Sequence, residues 1–232
     1  DAYARVQVHD EADPEAIPAP TPDIQRISIP IGPIAVFAAS NFPLAFGVIG
    51  GDSASALAAG NPVIARAHPL QLRTARAAAA AVARAMASTG APASWFQLID
   101  DPERDAGESL VRHPAIRAVG FTGSYAGGMA LALIAAGRPV PIPVYAEMGS
   151  INPLFITSGA LVSRGDELAI GLAASITQGA GQFCTKPGLV FALRGADTSA
   201  FLEKLSAAVQ GATCATMLTP GIRTAFLENR NA

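Results

Sequence analysis

The chain has 232 residues, of which 50% are apolar and 15% charged, with a formal charge of −2. This balance excludes a disordered chain and allows one sizeable core or two smaller ones. No basic run, bilayer-length apolar stretch or charged-then-apolar leader stands out, so neither nucleic acid nor a membrane is expected as a partner.

Residues 1–30 are polar, acidic and proline-rich at first, then briefly extended through "IQRISIP", and read as a connecting segment. "IAVFAAS" (34–40) is a continuous apolar run, as in a strand buried on both faces. "NFP" breaks it, and the small and apolar spacing of 44–60 predicts a helix stopped by Gly60. A strand over 61–67 and an alanine-rich helix over 70–90 follow. Further strands are predicted at 95–100 and 115–124, with a short helix in the charged segment between them and a helix at 127–137. The rhythm predicts an α/β unit over 31–148, a parallel sheet with helices on both faces. "RPVPIPVYAEMGS" (138–150) suits a linker or edge strand. A second unit over 149–232 then offers strand "NPLFIT", a helix over 166–180, a loop around Cys184, strand "LVFALRG" and helices at 198–210 and 220–229. Two strands and three helices are few for an independent core, so this second domain is expected to be incomplete.

Only two cysteines and three histidines are present, with no C-x-x-C or H-x-x-x-H pattern, so no metal site is expected. Both cysteines read as reduced thiols of a cytoplasmic protein. A G-x-G-x-x-G fingerprint is absent. After the strand ending in "GFT" stands "GSYAGG" (123–128), glycines and a hydroxyl at a strand-to-helix turn. Such a turn can hold phosphate on its N–H groups, and equally is found as a plain tight turn. Asn41, in "SNFP" beyond the first buried strand, can offer an amide N–H to an oxyanion or simply turn the chain. Glu147 lies in an apolar stretch; buried, it would titrate high enough to serve as a base, and on a strand edge it would be a surface glutamate. Cys184 reads as a buried filler or as a nucleophile helped by backbone dipoles and Lys186.

The order of these signals carries more than any one of them: S-N-F-P, a strand ending in a basic residue and His-Pro, F-T-G-S-x-x-x-G, E-M-G-S-x-N-P, and G-Q-F-C-T-K-P-G. In that order the chain resembles the aldehyde dehydrogenase superfamily over nearly all its length. "GGDSASALAAGNPVIARAHP", "EMGSINPLF" and "GQFCTKPGLVF" look closest to the branch of α-ketoglutaric semialdehyde (2,5-dioxovalerate) dehydrogenases and NADP-dependent fatty aldehyde dehydrogenases. The resemblance implies a Rossmann-like cofactor domain followed by the beginning of an α/β catalytic domain. It implies that Cys184 is the nucleophile, that Asn41 and the Cys184 backbone N–H hold the oxyanion, and that Glu147 is the general base. Gly123, Ser124, Gly128 and Met148 match cofactor-binding positions, and Phe42, Phe46 and Phe183 match positions along a substrate tunnel. Arg66 stands where the family usually has a lysine on the adenosine ribose, and Pro69 where many NAD-using members have a glutamate. NADP is therefore slightly favoured over NAD. Family members are longer at both ends, and their later portion supplies an oligomerisation arm. The resemblance thus implies a central fragment, not active by itself, of a homo-oligomeric enzyme acting on a small aldehyde. Two other readings are a non-catalytic binding or assembly module of the same fold and a cofactor-independent cysteine hydrolase or thioesterase.

Overall fold

A computed structural model describes residues 6–213 and 215–231. Residues 1–5 of the N-terminal segment and Cys214, expected as a reduced thiol, lie outside the described residues. The chain divides between Met148 and Gly149 into two compact units.

The first unit begins with a two-stranded antiparallel hairpin, β1 (Val6–Asp10) and β2 (Ile24–Ile27). The expected connecting segment therefore holds regular structure. It gave no alternating signal because every residue of β2 is exposed. The core forms around β3 (Ile34–Phe37), all four residues of which are buried. Successive side chains of a strand point to opposite faces, and here both faces meet apolar layers. Ile34 and Val36 join Val63, Ala65 and Ala118 on one side; Ala35 and Phe37 join Val111, Val119 and Leu131 on the other.

Around β3 lie β4 (Val63–Arg66), β5 (Phe96–Ile99), β6 (Ala118–Thr122) and β7 (Val144–Glu147), in the order β5-β4-β3-β6-β7. Every neighbouring pair is parallel. The first covering layer comes from α1 (Gly51–Ala58) and α2 (Leu72–Thr89), the second from α3 (Arg104–Arg112) and α4 (Tyr125–Ala136). The strand order reverses between β3 and β6, and ligands of such sheets bind beyond the carboxyl ends of the strands at that point.

Two boundaries differ from expectation. The helix predicted from residue 44 starts at Gly51, because Leu44–Gly50 is a set of tight turns. A Cβ on Gly47 would lie 1.9 Å from the Pro43 carbonyl oxygen, and one on Gly50 would lie 2.3 Å from that of Ala45. In the second unit the helix predicted from residue 166 is α5 (Ser158–Thr177). Thr157 caps its first turn by accepting from the Ala160 N–H, and a non-helical Arg164 breaks the regular period that sequence reading relies on. This unit also holds the parallel pair β8 (Pro153–Ile156) and β9 (Leu189–Ala192), α6 (Ala196–Gln210) and α7 (Pro220–Asn231). Its small core centres on Ile156, Leu161, Ala169, Leu172 and Phe201.

Candidate active site

The register of the sheet aligns the strand ends. Phe37 sits opposite Arg66 and Phe121, and Thr122 opposite Glu147. Arg66, the Gly123 turn and Glu147 thus occupy one carboxyl edge, with Asn41 on the loop leaving β3. That loop is tied down from both sides. The Gln71 side-chain amide donates to the Ser40 carbonyl at 2.7 Å, and the Ala39 N–H to the Phe46 carbonyl at 2.8 Å. Asn41 and Phe42 are half-buried, Phe46 is 37% exposed, and the Phe42 and Phe46 rings meet edge to face at 5.7 Å.

After β6 the chain turns into α4. Ser124 caps the helix, its Oγ accepting from the Gly127 N–H at 3.2 Å, and the Gly123 N–H reaches the Glu147 carbonyl at 3.0 Å. The Phe121 ring underlies the turn. A Cβ on Gly123 would come within 2.7 Å of that ring, and one on Gly128 within 2.5 Å of the Met148 side chain. Glycine at these places lets backbone, ring and Met148 close up around an open helix N-terminus, which suits an anionic ligand.

Beside it is a cleft of about 510 Å³, lined among others by Arg66, His68, Arg104, Gly123, Ser124 and Gly127. The Arg66 Nη2 donates to the carbonyls of Pro102 and Glu103 at 3.1 and 2.9 Å, while its Nε is buried with no hydrogen-bond partner. Burial lowers the Arg66 pKa, an effect opposed by Asp101. The His68 pKa is lowered by burial and then by Arg66, in keeping with a neutral ring whose Nδ1 accepts from the Leu70 N–H at 3.2 Å. Glu108 also borders the cleft, and it is paired with Arg112 at 2.9 Å. Basic groups, an orphaned donor and a glycine cradle together fit a phosphate-bearing dinucleotide. Sequence alone does not single out His68 and Arg104 as binding residues: the His-Pro pair after β4 is a signal for the first, and nothing local marks the second.

Of the two readings of Glu147, the structure shows the surface one: the residue is exposed, and Tyr145 is 69% exposed. Strand β7 is the sheet edge, so only alternate residues face the core.

The remaining residues lie in the second unit. Cys184 is a free cysteine, half-buried, in the loop between α5 and β9. Phe183 packs against Gly179, whose φ of +58° opens the turn that leads into the loop. The Asn152 Nδ2 donates to the carbonyls of Cys184 and Lys186 at 2.6 and 3.0 Å, and the Ser150 hydroxyl also donates to the Cys184 carbonyl. Asn41 and Glu147 are thus framed by the first unit, and Cys184 and Phe183 by the second. No helix among the described residues is long and apolar enough to cross a membrane.

Comparison with known proteins identifies the family. The aldehyde dehydrogenase family profile matches residues 2–226. Alpha-ketoglutaric semialdehyde dehydrogenase 2 of Azospirillum brasilense is 51% identical over 221 residues, 95% of this chain and 42% of that protein. Alpha-ketoglutaric semialdehyde dehydrogenase of Acinetobacter baylyi is 42% identical over 223 residues, again 42% of its length. The chain therefore spans less than half of these relatives. Among solved structures, the aldehyde dehydrogenase KauB from Pseudomonas aeruginosa superposes with a TM-score of 0.68 at 25% identity, over 82% of this chain and 37% of that one.

Proposed function

Because the chain belongs to the aldehyde dehydrogenase family, we propose that the protein oxidises an aldehyde to its carboxylic acid with NAD(P)+, using Cys184 as nucleophile. The observation that carries this reading is the shared carboxyl edge, where the Asn41 loop, Arg66, the Gly123 turn and Glu147 follow adjacent strands of one sheet. An aldehyde releases hydride readily only after a nucleophile has made its carbon tetrahedral. The Cys184 thiolate adds to that carbon, and the resulting oxyanion is held by the Asn41 side-chain amide and the Cys184 backbone N–H. When bound, the nicotinamide supplies the hydride acceptor, so that the thiohemiacetal becomes a thioester. Glu147 takes a proton from water, the hydroxide attacks the thioester, and the acid leaves with the thiolate restored. An exposed Glu147 reaches water without rearrangement. Gly123, Ser124, Gly128 and Met148 cradle the cofactor, while Phe42, Phe46 and Phe183 line the approach of the aldehyde.

Arg66 beside His68 and Arg104, with proline at 69 in place of a carboxylate, favours NADP over NAD. The names of the two relatives favour a semialdehyde such as 2,5-dioxopentanoate. We take the intact protein to be a cytoplasmic homo-oligomer, in keeping with the family resemblance.

The test is aldehyde-dependent growth of reduced-nicotinamide absorbance, with each cofactor, by the intact polypeptide that carries this sequence. Cys184→Ser is expected to lower turnover by about a thousandfold or more while leaving NADP binding in place. Full activity in that variant sinks the proposal. Ester hydrolysis without cofactor would favour a cysteine hydrolase, and cofactor binding without any turnover a non-catalytic module.

A further inference from the structure

The segment Ser150–Asn152 closes on the Cys184 loop through side chains and backbone together. We propose that Asn152, seconded by Ser150, is a positioning residue that fixes the peptide carbonyls of the nucleophile Cys184 and of Lys186. The inference rests on the reading of Cys184 as nucleophile.

Three features point to this role. The Asn152 amide serves two carbonyls of the loop at once, those of Cys184 and Lys186. Ser150 gives the Cys184 carbonyl a second donor, and Asn152 Nδ2 lies 3.2 Å from the Ser150 Oγ, so the two side chains act as one clamp. The backbone adds a third tie. The Gly188 N–H donates to the Ile151 carbonyl at 2.7 Å, and a Cβ on Gly188 would lie 2.6 Å from that oxygen. Asn152 itself holds φ at +48°, a left-handed conformation that asparagine tolerates better than most residues. One side chain thus turns the strand entrance and supplies the clamp.

The physical consequence concerns charge. A carbonyl oxygen is the negative end of a peptide dipole, and a thiolate is disfavoured near such ends. Anchored on N–H and O–H donors, these two oxygens are held toward residues 150–152. Released, they are free to turn, and the peptides around the nucleophile lose their fixed orientation. Residues 149–152 carry no titratable side chain, and the only other titratable group between Gly181 and Gly188 is Lys186.

The test is alkylation of the intact polypeptide by iodoacetamide from about pH 6 to about pH 10, read by peptide mass spectrometry so that Cys184 and Cys214 are followed separately. Asn152→Gly keeps the left-handed backbone and removes the donor. Asn152→Asp keeps the size and replaces the donor with an acceptor. Both are expected to slow Cys184 alkylation at neutral pH about tenfold, and Ser150→Ala about threefold. The rate profile of Cys184 is expected to move to higher pH, with the melting temperature little changed. A merely structural role shows instead as a lowered melting temperature that accounts for the change in the Cys184 rate. An unchanged Cys184 rate and profile in Asn152→Gly overturns the proposal; should that variant unfold, an unchanged Cys184 in Ser150→Ala overturns it instead. If Cys184 of the unaltered protein reacts no faster than in the denatured chain, the nucleophile reading fails with it. A fast Cys184 that is indifferent to both substitutions overturns the positioning role alone.

Discussion

The two units hold their candidate residues by different means. In the first, a five-stranded parallel sheet is packed on both faces; Arg66 and Glu147 take their places from strand register, and Asn41 and Gly123 lie on the loops that leave its strands. In the second, the pair β8 and β9 is open: of its eight residues only Ile156 is buried, and Cys184 is set by a few polar side chains. A site built on buried strands inherits their rigidity. A site built on a hydrogen-bonded loop depends on each donor, and a single substitution there alters placement without touching a core.

The widest separation between the units should appear in stability. Phe37→Ala empties a fully packed position and is expected to destabilise the first unit by about 3–5 kcal/mol, measured by chemical denaturation. Phe155, 71% exposed and stacked on Phe191 at 4.9 Å, should lose less than about 1.5 kcal/mol on the same change. Equal losses would mean that the two units hold their aromatic side chains equally firmly.

An intermediate effect is expected at the cleft. Arg66→Gln removes the cation and its anchors on Pro102 and Glu103. Titration should show NADP binding weakened about tenfold and NAD binding much less. Equal weakening would mean that Arg66 shapes the loop without reading the 2′-phosphate.

The smallest effect is expected at Asp52. It lines a hollow of about 260 Å³ on the α1 side, and burial raises its pKa above the ordinary value. A raised folded-state pKa means that the fold binds the proton more tightly than the unfolded chain does. Ionising Asp52 therefore costs more in the fold than in the unfolded chain, and that difference subtracts from stability at neutral pH. Asp52→Asn should raise the melting temperature slightly near pH 7, and the gain should vanish as the pH falls below the unfolded value of 3.8. A lowered melting temperature at neutral pH would show that the helix N-terminus outweighs burial there.

Legibility in the sequence followed the same division. "IAVFAAS" announced a two-sided strand because every residue in it is apolar, and the packed sheet gives each a partner. Ser124 and the glycines after it were readable because a strand-to-helix turn has strong local chemistry. Three things were hidden. The β1–β2 hairpin leaves no hydrophobic period, since β2 buries nothing. Whether Glu147 is buried stays open in the sequence, because local apolarity does not say which face of an edge strand is covered. Asn152 was overlooked because its partners stand more than thirty residues away, and no window in the sequence joins them. The Asn-Pro pair reads as the start of strand "NPLFIT", not as a clamp.

The placement of β3 at the centre of its sheet also sets a timetable. Ile34 pairs with Ala118, roughly 80 residues later. During synthesis, at about 5–20 residues per second, the most apolar strand of the chain waits roughly 4–16 seconds for its second neighbour. For that interval one long edge of β3 is open to any strand that offers hydrogen bonds. The strand that organises the finished unit is thus the one most in need of shielding while the polypeptide is being made.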